Sequence, residues 1–168
     1  MARASNPVPQ GHHTATPGLT VKDGNRAIEF YKKAFGAEEV TRMNGPGGKG
    51  VMHAALKIGD SMLFLNDEFP GMNVQSPETL KGTTQSIYLY VQDVDSAFNR
   101  AVSAGARVVM PVTDMFWGDR FGKLADPFGH EWGLATHVED LTDEEVRQRS
   151  KGFMEQMAKR STEQTGKK

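Results

Sequence analysis

The sequence predicts an α+β protein built from two βαβββ half-units, paired into a mixed sheet that curls round a concave face with its helices on the convex side. Two observations carry this. First, LTVKDGNRAIEFYKKAFGAEEV, from Leu19, is echoed by LYVQDVDSAFNRAVSAGARVVM, from Leu89. Second, each copy is followed by a strand pair with a turn signal between the strands. In the repeat, Leu19, Val21, Asp23, Ala27 and Ile28 match Leu89, Val91, Asp93, Ala97 and Phe98, and after one gap Gly36-Ala37 matches Gly105-Ala106. A single α+β domain whose halves match by chance is the alternative. Recurrence of caps, glycines and hairpins in the same order favours the repeat.

Each half opens with an alternating strand. Asp23 or Asp93 follows, suited to cap a helix by accepting backbone N–H bonds. A helix of about three turns comes next. Its apolar residues are Ala27, Ile28, Tyr31, Ala34 and Phe35 in the first copy and Ala97, Phe98, Ala101, Val102 and Ala104 in the second. Gly36 and Gly105 then stand at the helix ends, where a left-handed residue is favoured. In the first half the strand pair GVMHAALKI and SMLFLND is joined by Gly59-Asp60. In the second, GKLADPFGHEWGLATH turns at Pro127 and Gly129. The halves are expected near residues 14–68 and 84–138.

Composition narrows the function classes. The 168 residues suit one domain, with 38% apolar and 24% charged residues. A formal charge of −1 gives no general attraction to nucleic acid or to a membrane surface, so neither is expected as a partner. The chain has no cysteine, which excludes disulfides, cysteine-ligated metal and a thiol nucleophile. No apolar run approaches the ~20 residues of a membrane span. MARASNPVPQGHH lacks the apolar core of a secretory signal, so a cytoplasmic protein is expected. Residues 1–13 read as an arm in which His12 and His13 are solvated, residues 14–140 as the folded domain, and residues 141–168 as a C-terminal helix and tail.

Alternation assigns the strand faces. Met52, Ala54, Leu56 and Ile58 oppose His53; Leu63 and Leu65 oppose Met62, Phe64 and Asn66. Ile87, Leu89 and Val91 oppose Ser86, Tyr88 and Tyr90, while Trp132 and Leu134 oppose Glu131, Gly133, Ala135 and His137. One set of faces is apolar and suits packing under the helices. The other mixes aromatic rings with polar groups, as a small-molecule site requires. DMFWGDRFGKLADPFGHEW adds Trp117, Asp119, Arg120, Asp126 and His130. Asp119 and Arg120 are read as fixing this loop by ion pairing; a ligand carboxylate or phosphate on Arg120 is the alternative. GPGGKG at residues 45–50 has no helix after it and reads as a loop rather than a phosphate cradle. The expected ligand-binding residues are His53, Phe64, Ser86, Tyr88, Trp117 and Arg120.

The segments VKDGNRAIEFYKKAFGAEEV, MHAALKIGDSMLFLND, YVQDVDSAFNRAVSAGARVV and FWGDRFGKLADPFGHEW resemble the glyoxalase/bleomycin-resistance/extradiol-dioxygenase (vicinal oxygen chelate) superfamily, and within it the PhnB-like branch. The resemblance covers about residues 14–140. It implies the glyoxalase/bleomycin-resistance fold and a homodimer. Members include metal-dependent isomerases, lyases and dioxygenases as well as metal-free proteins that sequester antibiotics. Carried over by the motifs, the usual metal positions fall on Thr16, Phe64, Ser86 and Gly133, a poor donor set for a divalent cation. Shifting the register by two residues brings in only Glu131.

The expectation is therefore a small-molecule-binding protein with neither cofactor nor metal. A metal-dependent lyase, isomerase or dioxygenase is the enzyme alternative, and a dimeric interaction module without ligand is the third reading. Thr142 and Glu145 form a capping-box pattern for a helix over about 142–159. Its thin stripe of Phe153, Met154 and Met157 is expected to dock on its own domain or on the twin subunit, and the resemblance favours the twin.

Overall fold

The computed structural model describes residues 4–69 and 71–165, with side chains to residue 154. Strand and helix periods alternate in the expected order. The first half contains β1 (Gly18–Val21), α1 (Gly24–Phe35), β2 (Glu38–Asn44), β3 (Val51–Ile58) and β4 (Ser61–Asp67). After the one-turn helix α2 (Pro77–Leu80), the second contains β5 (Ser86–Tyr90), α3 (Val94–Ala104), β6 (Arg107–Asp114), β7 (Asp119–Ala125) and β8 (Glu131–His137). The long helix α4 (Asp143–Thr165) follows.

Local chemistry sets the helix limits. The Asp23 carboxylate accepts from Arg26 N at 3.1 Å, and Asp93 accepts from Ser96 N at 3.0 Å. Each bond satisfies an amide that the first helical turn leaves without a partner. At the other end, Gly36 and Gly105 adopt φ of 68° and 117°, the left-handed conformation that lets the chain leave the helix.

Each half forms its own four-stranded mixed sheet, in the orders β1-β4-β3-β2 and β5-β8-β7-β6. The first and last strands of each half are parallel, β1 with β4 and β5 with β8, and the other pairs are antiparallel. This corrects the expectation of one mixed sheet. Among the described strands no hydrogen-bonded ladder joins the halves; side chains hold them together.

α1 packs against α3, and the buried faces of both sheets lie beneath these helices. Ile28 and Tyr31 of α1, Leu56 and Leu65 of the first sheet, and Leu124, Trp132 and Leu134 of the second are fully buried. Burying a side chain of this size stabilises the fold by about 2 kcal/mol. The rings of Tyr31 and Phe35 lie 5.3 Å and 4.4 Å from Trp132, so first-half aromatics reach into the second half.

A buried carboxylate reinforces that seam. Asp126, in the β7–β8 turn, accepts from Tyr31 Oη at 2.7 Å and from Trp132 Nε1 at 2.9 Å. It also accepts from the amides of Phe128 and His130, both at 2.9 Å. His130 in turn lies 2.9 Å from the Thr20 carbonyl of β1 through Nε2. The DPFGH turn is thus a structural latch between the halves.

One expectation about the chain ends changes. His12 does not sit in open solvent: it is half-buried, with its ring 5.7 Å from Phe64. An imidazole gains dispersion and edge contacts by resting on an otherwise exposed phenyl ring. At the other end α4 has the expected capping box, with Thr142 N donating to Glu145 Oε2 at 2.8 Å and Glu145 N to Thr142 Oγ1 at 3.3 Å. Phe153 packs on Phe116 of its own chain, with ring centroids 5.2 Å apart. Met154 is exposed, and the Met157 side chain lies outside the described residues.

Candidate functional site

The polar-aromatic faces of the second sheet converge on Asp119, the first residue of β7, which is 2% exposed. Its Oδ2 accepts from Tyr88 Oη and Tyr90 Oη, each at 3.1 Å, and from Trp117 Nε1 at 3.0 Å. Its Oδ1 lies 2.8 Å from His137 Nδ1, and His137 Nε2 lies 3.1 Å from Asp140 Oδ1. The strand period explains the convergence. Asp119 pairs with His137 across β7–β8, while Tyr88 and Tyr90 share one face of β5.

Burial pushes the Asp119 carboxyl up, but hydrogen bonds from His137, Trp117 and the two tyrosines outweigh it and hold the carboxyl below its usual range. His137 is raised above an ordinary imidazole, first by its hydrogen bond to Asp119 and then by that to Asp140. Tyr88 is pushed well up by burial and by Asp119, so its hydroxyl keeps its proton. The carboxylate is thus an anchor whose acceptor capacity is spent inside the protein, not a base poised for proton abstraction.

The anchored rings form a rigid platform. Tyr88 stacks on Phe121 with centroids 5.2 Å apart and planes 9° from parallel. Tyr90 lies 5.1 Å from Tyr88, and Trp117 lies 6.0 Å from Phe121. Tyr88 and Tyr90 remain 41% and 66% exposed, so the platform presents ring surface to solvent. Gly133 makes the stack possible: a Cβ there would lie 2.7 Å from Phe121 Cε2 and 3.1 Å from Tyr88 Cδ2.

The expected site residues fall into four places. His53 and Phe64 meet on the first sheet, with ring centroids 4.9 Å apart. Tyr88 and Trp117 meet on the second through Asp119. Ser86, at the start of β5, pairs across the sheet with Glu131, which forms an ion pair with Lys123.

Arg120 is elsewhere. It grips both carboxylate oxygens of Asp95 at 2.7 and 2.8 Å and Asp114 at 2.9 Å. Arg120 thus makes its ion pairs on the face opposite to Asp119, because neighbouring residues on a strand point to opposite faces. Asp119, Tyr90, Phe121 and His137 were not among the expected site residues. The shared face of Tyr88 with Tyr90, and of Gly133 with His137, signalled two of them in the sequence, and the DMFWGDRFGKLADPFGHEW segment signalled Asp119 as a loop-fixing group.

The model of the Glyoxalase/Bleomycin resistance protein/Dioxygenase superfamily matches residues 11–134. The chain belongs to this superfamily. An uncharacterized protein of Mycobacterium bovis is 46% identical over 135 residues, covering 79% of this chain and 88% of that protein. Among solved structures, TioX from Micromonospora sp. ML1 aligns with a TM-score of 0.59 and 27% identity, over 74% of this chain and 99% of that one. A PhnB protein from Bacillus cereus, described as a putative 3-demethylubiquinone-9 3-methyltransferase, aligns with a TM-score of 0.58 over 74% of this chain and 99% of its own, at 20% identity, a likeness of fold.

A metal at the superfamily position does not fit these residues. The space of a β8 ligand at Gly133 is filled by the Tyr88–Phe121 stack. Phe64, on β4, carries a hydrocarbon ring flanked by His53 and His12. Ser86 and Thr16 offer only hydroxyls, and divalent cations at such sites need carboxylate or imidazole donors. Glu131, the nearest carboxylate to this set by register, is held by Lys123. Among the described residues no three His, Asp or Glu side chains gather as a metal centre.

Proposed function

We propose that this superfamily member is a small-molecule-binding protein that works without the usual metal centre and takes a planar, largely apolar ligand. The observation that carries the proposal is the substitution of an aromatic stack for a metal ligand at Gly133. Ring faces held rigid by one buried carboxylate contribute stacking at low conformational cost, because the protein side is already ordered. Tyr88 and Trp117, with Ser86 at the strand start, form one wall of the site. His53 and Phe64 form the other, with His53 as the polar reader. Arg120 serves by fixing the start of β7 against Asp95 and Asp114. The binding unit comprises residues 14–140 and acts in the cytoplasm as a homodimer.

Intrinsic fluorescence tests the reading. Trp117 and Trp132 are the chain's tryptophans, and Trp132 is fully buried, so a surface ligand reports through Trp117. A panel of planar aromatic compounds is titrated against protein purified without a tag, with Trp117→Phe as the control. Saturable quenching that vanishes in Trp117→Phe and weakens at least tenfold in Gly133→Val supports the platform. Stoichiometric zinc, nickel or iron retained after dialysis against a chelator overturns the metal-free reading, and a panel that produces no quenching overturns the platform.

A further inference from the structure

The platform rings are bound to a charge. Tyr88 Oη, Tyr90 Oη and Trp117 Nε1 all donate to one oxygen, Oδ2 of Asp119. A donor held by an anion is polarised: electron density moves from the shared hydrogen back towards the ring. Each ring face, already negative through its quadrupole, becomes more so. Side chains stand out of the plane of a sheet. Pairing of β5 with a partner strand in that plane therefore leaves the faces of Tyr88 and Tyr90 presented.

The charges around the platform do not cancel. His137 lies between two carboxylates, 2.8 Å from Asp119 and 3.1 Å from Asp140. Two carboxylates against one imidazole leave the cluster negative whether or not the imidazole carries a second proton. The other cations nearby are already spent. Lys123, on the same face of β7 as Phe121, pairs with Glu131. Arg120 turns through the opposite face to Asp95 and Asp114, and Arg149 of α4 pairs with Glu139. Asp119 itself is buried, so its field is less screened by water than that of a surface carboxylate.

Electron-rich ring faces backed by a buried anion recognise positive charge. We infer that the platform selects planar cations, heteroaromatic molecules whose positive charge is spread over a flat ring. The inference rests on the platform being the ligand site and names the charge of its ligand. The cation lies over the exposed faces of Tyr90, Tyr88 and Trp117, within the ~6 Å over which a ring quadrupole attracts it. It does not touch Asp119, whose oxygens are occupied by the rings and His137. Tyr88 and Phe121 lie 9° from parallel, so the rings make a flat surface rather than a cage round a compact ammonium. A delocalised cation also loses less hydration on stacking than a compact one. An anion of the same shape meets negative faces and no free cation.

Equilibrium dialysis of the full chain at about pH 8 tests this with three bicyclic probes of one shape. N-methylquinolinium is a fixed cation, lepidine is neutral at that pH, and cinchoninate is an anion. The cation is expected to bind about fivefold or more tighter than lepidine, and cinchoninate more weakly than either. Tetramethylammonium, which has the charge without the plane, is expected to bind about tenfold or more weaker than N-methylquinolinium. Asp119→Asn is expected to bring the cation-to-neutral ratio below about twofold, whatever it does to the separate affinities. Tyr90→Leu, at a largely exposed ring, is expected to lower the same ratio and keeps the test valid if Asp119→Asn fails to fold. The preference is expected to survive about 0.5 M salt, which screens exposed Asp140 but not the polarised rings. Lepidine bound as tightly as the cation, a preference abolished by salt, tetramethylammonium bound equally well, or a ratio unchanged in the variants overturns the inference. In each of those cases the platform stands if Gly133→Val weakens all the bicyclic probes together. No saturable binding by any bicyclic probe overturns the platform and the inference with it.

Discussion

At the scale of single residues, Gly133 and Asp119 decide what the concave face of the second sheet is. Gly133→Val places methyl groups where Phe121 and Tyr88 already touch. Such overpacking costs about 1–3 kcal/mol, and the rings must part. The expected result is a lower denaturant midpoint together with lost near-ultraviolet aromatic dichroism. An unchanged spectrum contradicts the stack. Asp119→Asn keeps the shape but removes the charge to which Tyr88, Tyr90, Trp117 and His137 are bound. Hydrogen bonds to a charged group are worth about 2 kcal/mol each before compensation, so a loss on the order of 2 kcal/mol in unfolding free energy is expected.

The pair also gives stability a pH window. His137 is raised in the fold, so its contribution is complete below the unfolded imidazole value of about 6.5 and is lost as pH rises through the raised value. Asp119 is lowered, so its contribution is complete above the unfolded value of about 3.9 and is lost as pH falls through the lowered value. Urea midpoints measured from pH 3 to 9 are expected to decline on both sides of this interval. The high-pH decline should be shallower in His137→Gln; an identical profile contradicts the linkage.

At the scale of elements, α4 illustrates how a capped helix finds its dock. Thr142 and Glu145 start it, and the Arg149–Glu139 ion pair ties its second turn back to the segment after β8. Phe153 then meets Phe116, beside Trp117. Phe153→Ala removes one half-buried ring contact, worth about 1 kcal/mol. The expected effect is a shifted Trp117 emission maximum with sedimentation unchanged. A change in oligomeric state with no change in emission indicates that Phe153 docks on a twin subunit. The capping box was legible before the structure because its two side chains are three residues apart. The dock was not, because Phe116 lies 37 residues from Phe153 and nothing local couples them.

At the scale of the molecule, two half-sheets without a common ladder are held together by α1 against α3, by the aromatic seam and by Asp126. Tyr31→Phe removes one donor from that buried carboxylate across the seam, with an expected loss of about 1–2 kcal/mol. Asp126→Ala strands Tyr31 and Trp132 together, and a loss of about 3–5 kcal/mol is expected. Thermal unfolding of the two variants checks the order, and a larger loss for Tyr31→Phe contradicts the latch.

The repeat, the helix limits and the buried faces were all written in local pattern: an aspartate before each helix, a glycine after it, and alternation along each strand. Those features depend on neighbours a few residues apart, so the sequence by itself determined them; the superfamily, and with it the poor donor set at Thr16, Phe64, Ser86 and Gly133, came from the resemblance of whole segments. Tertiary structure decided the rest. It divided the strands into two sheets, laid His12 on Phe64, sent Arg120 to Asp95 and Asp114, and gathered Tyr88, Tyr90, Trp117 and His137 on Asp119. These contacts join residues brought close only when the sheets form. Their energies depend on burial and on the direction of each strand face, quantities that exist only after the chain has folded.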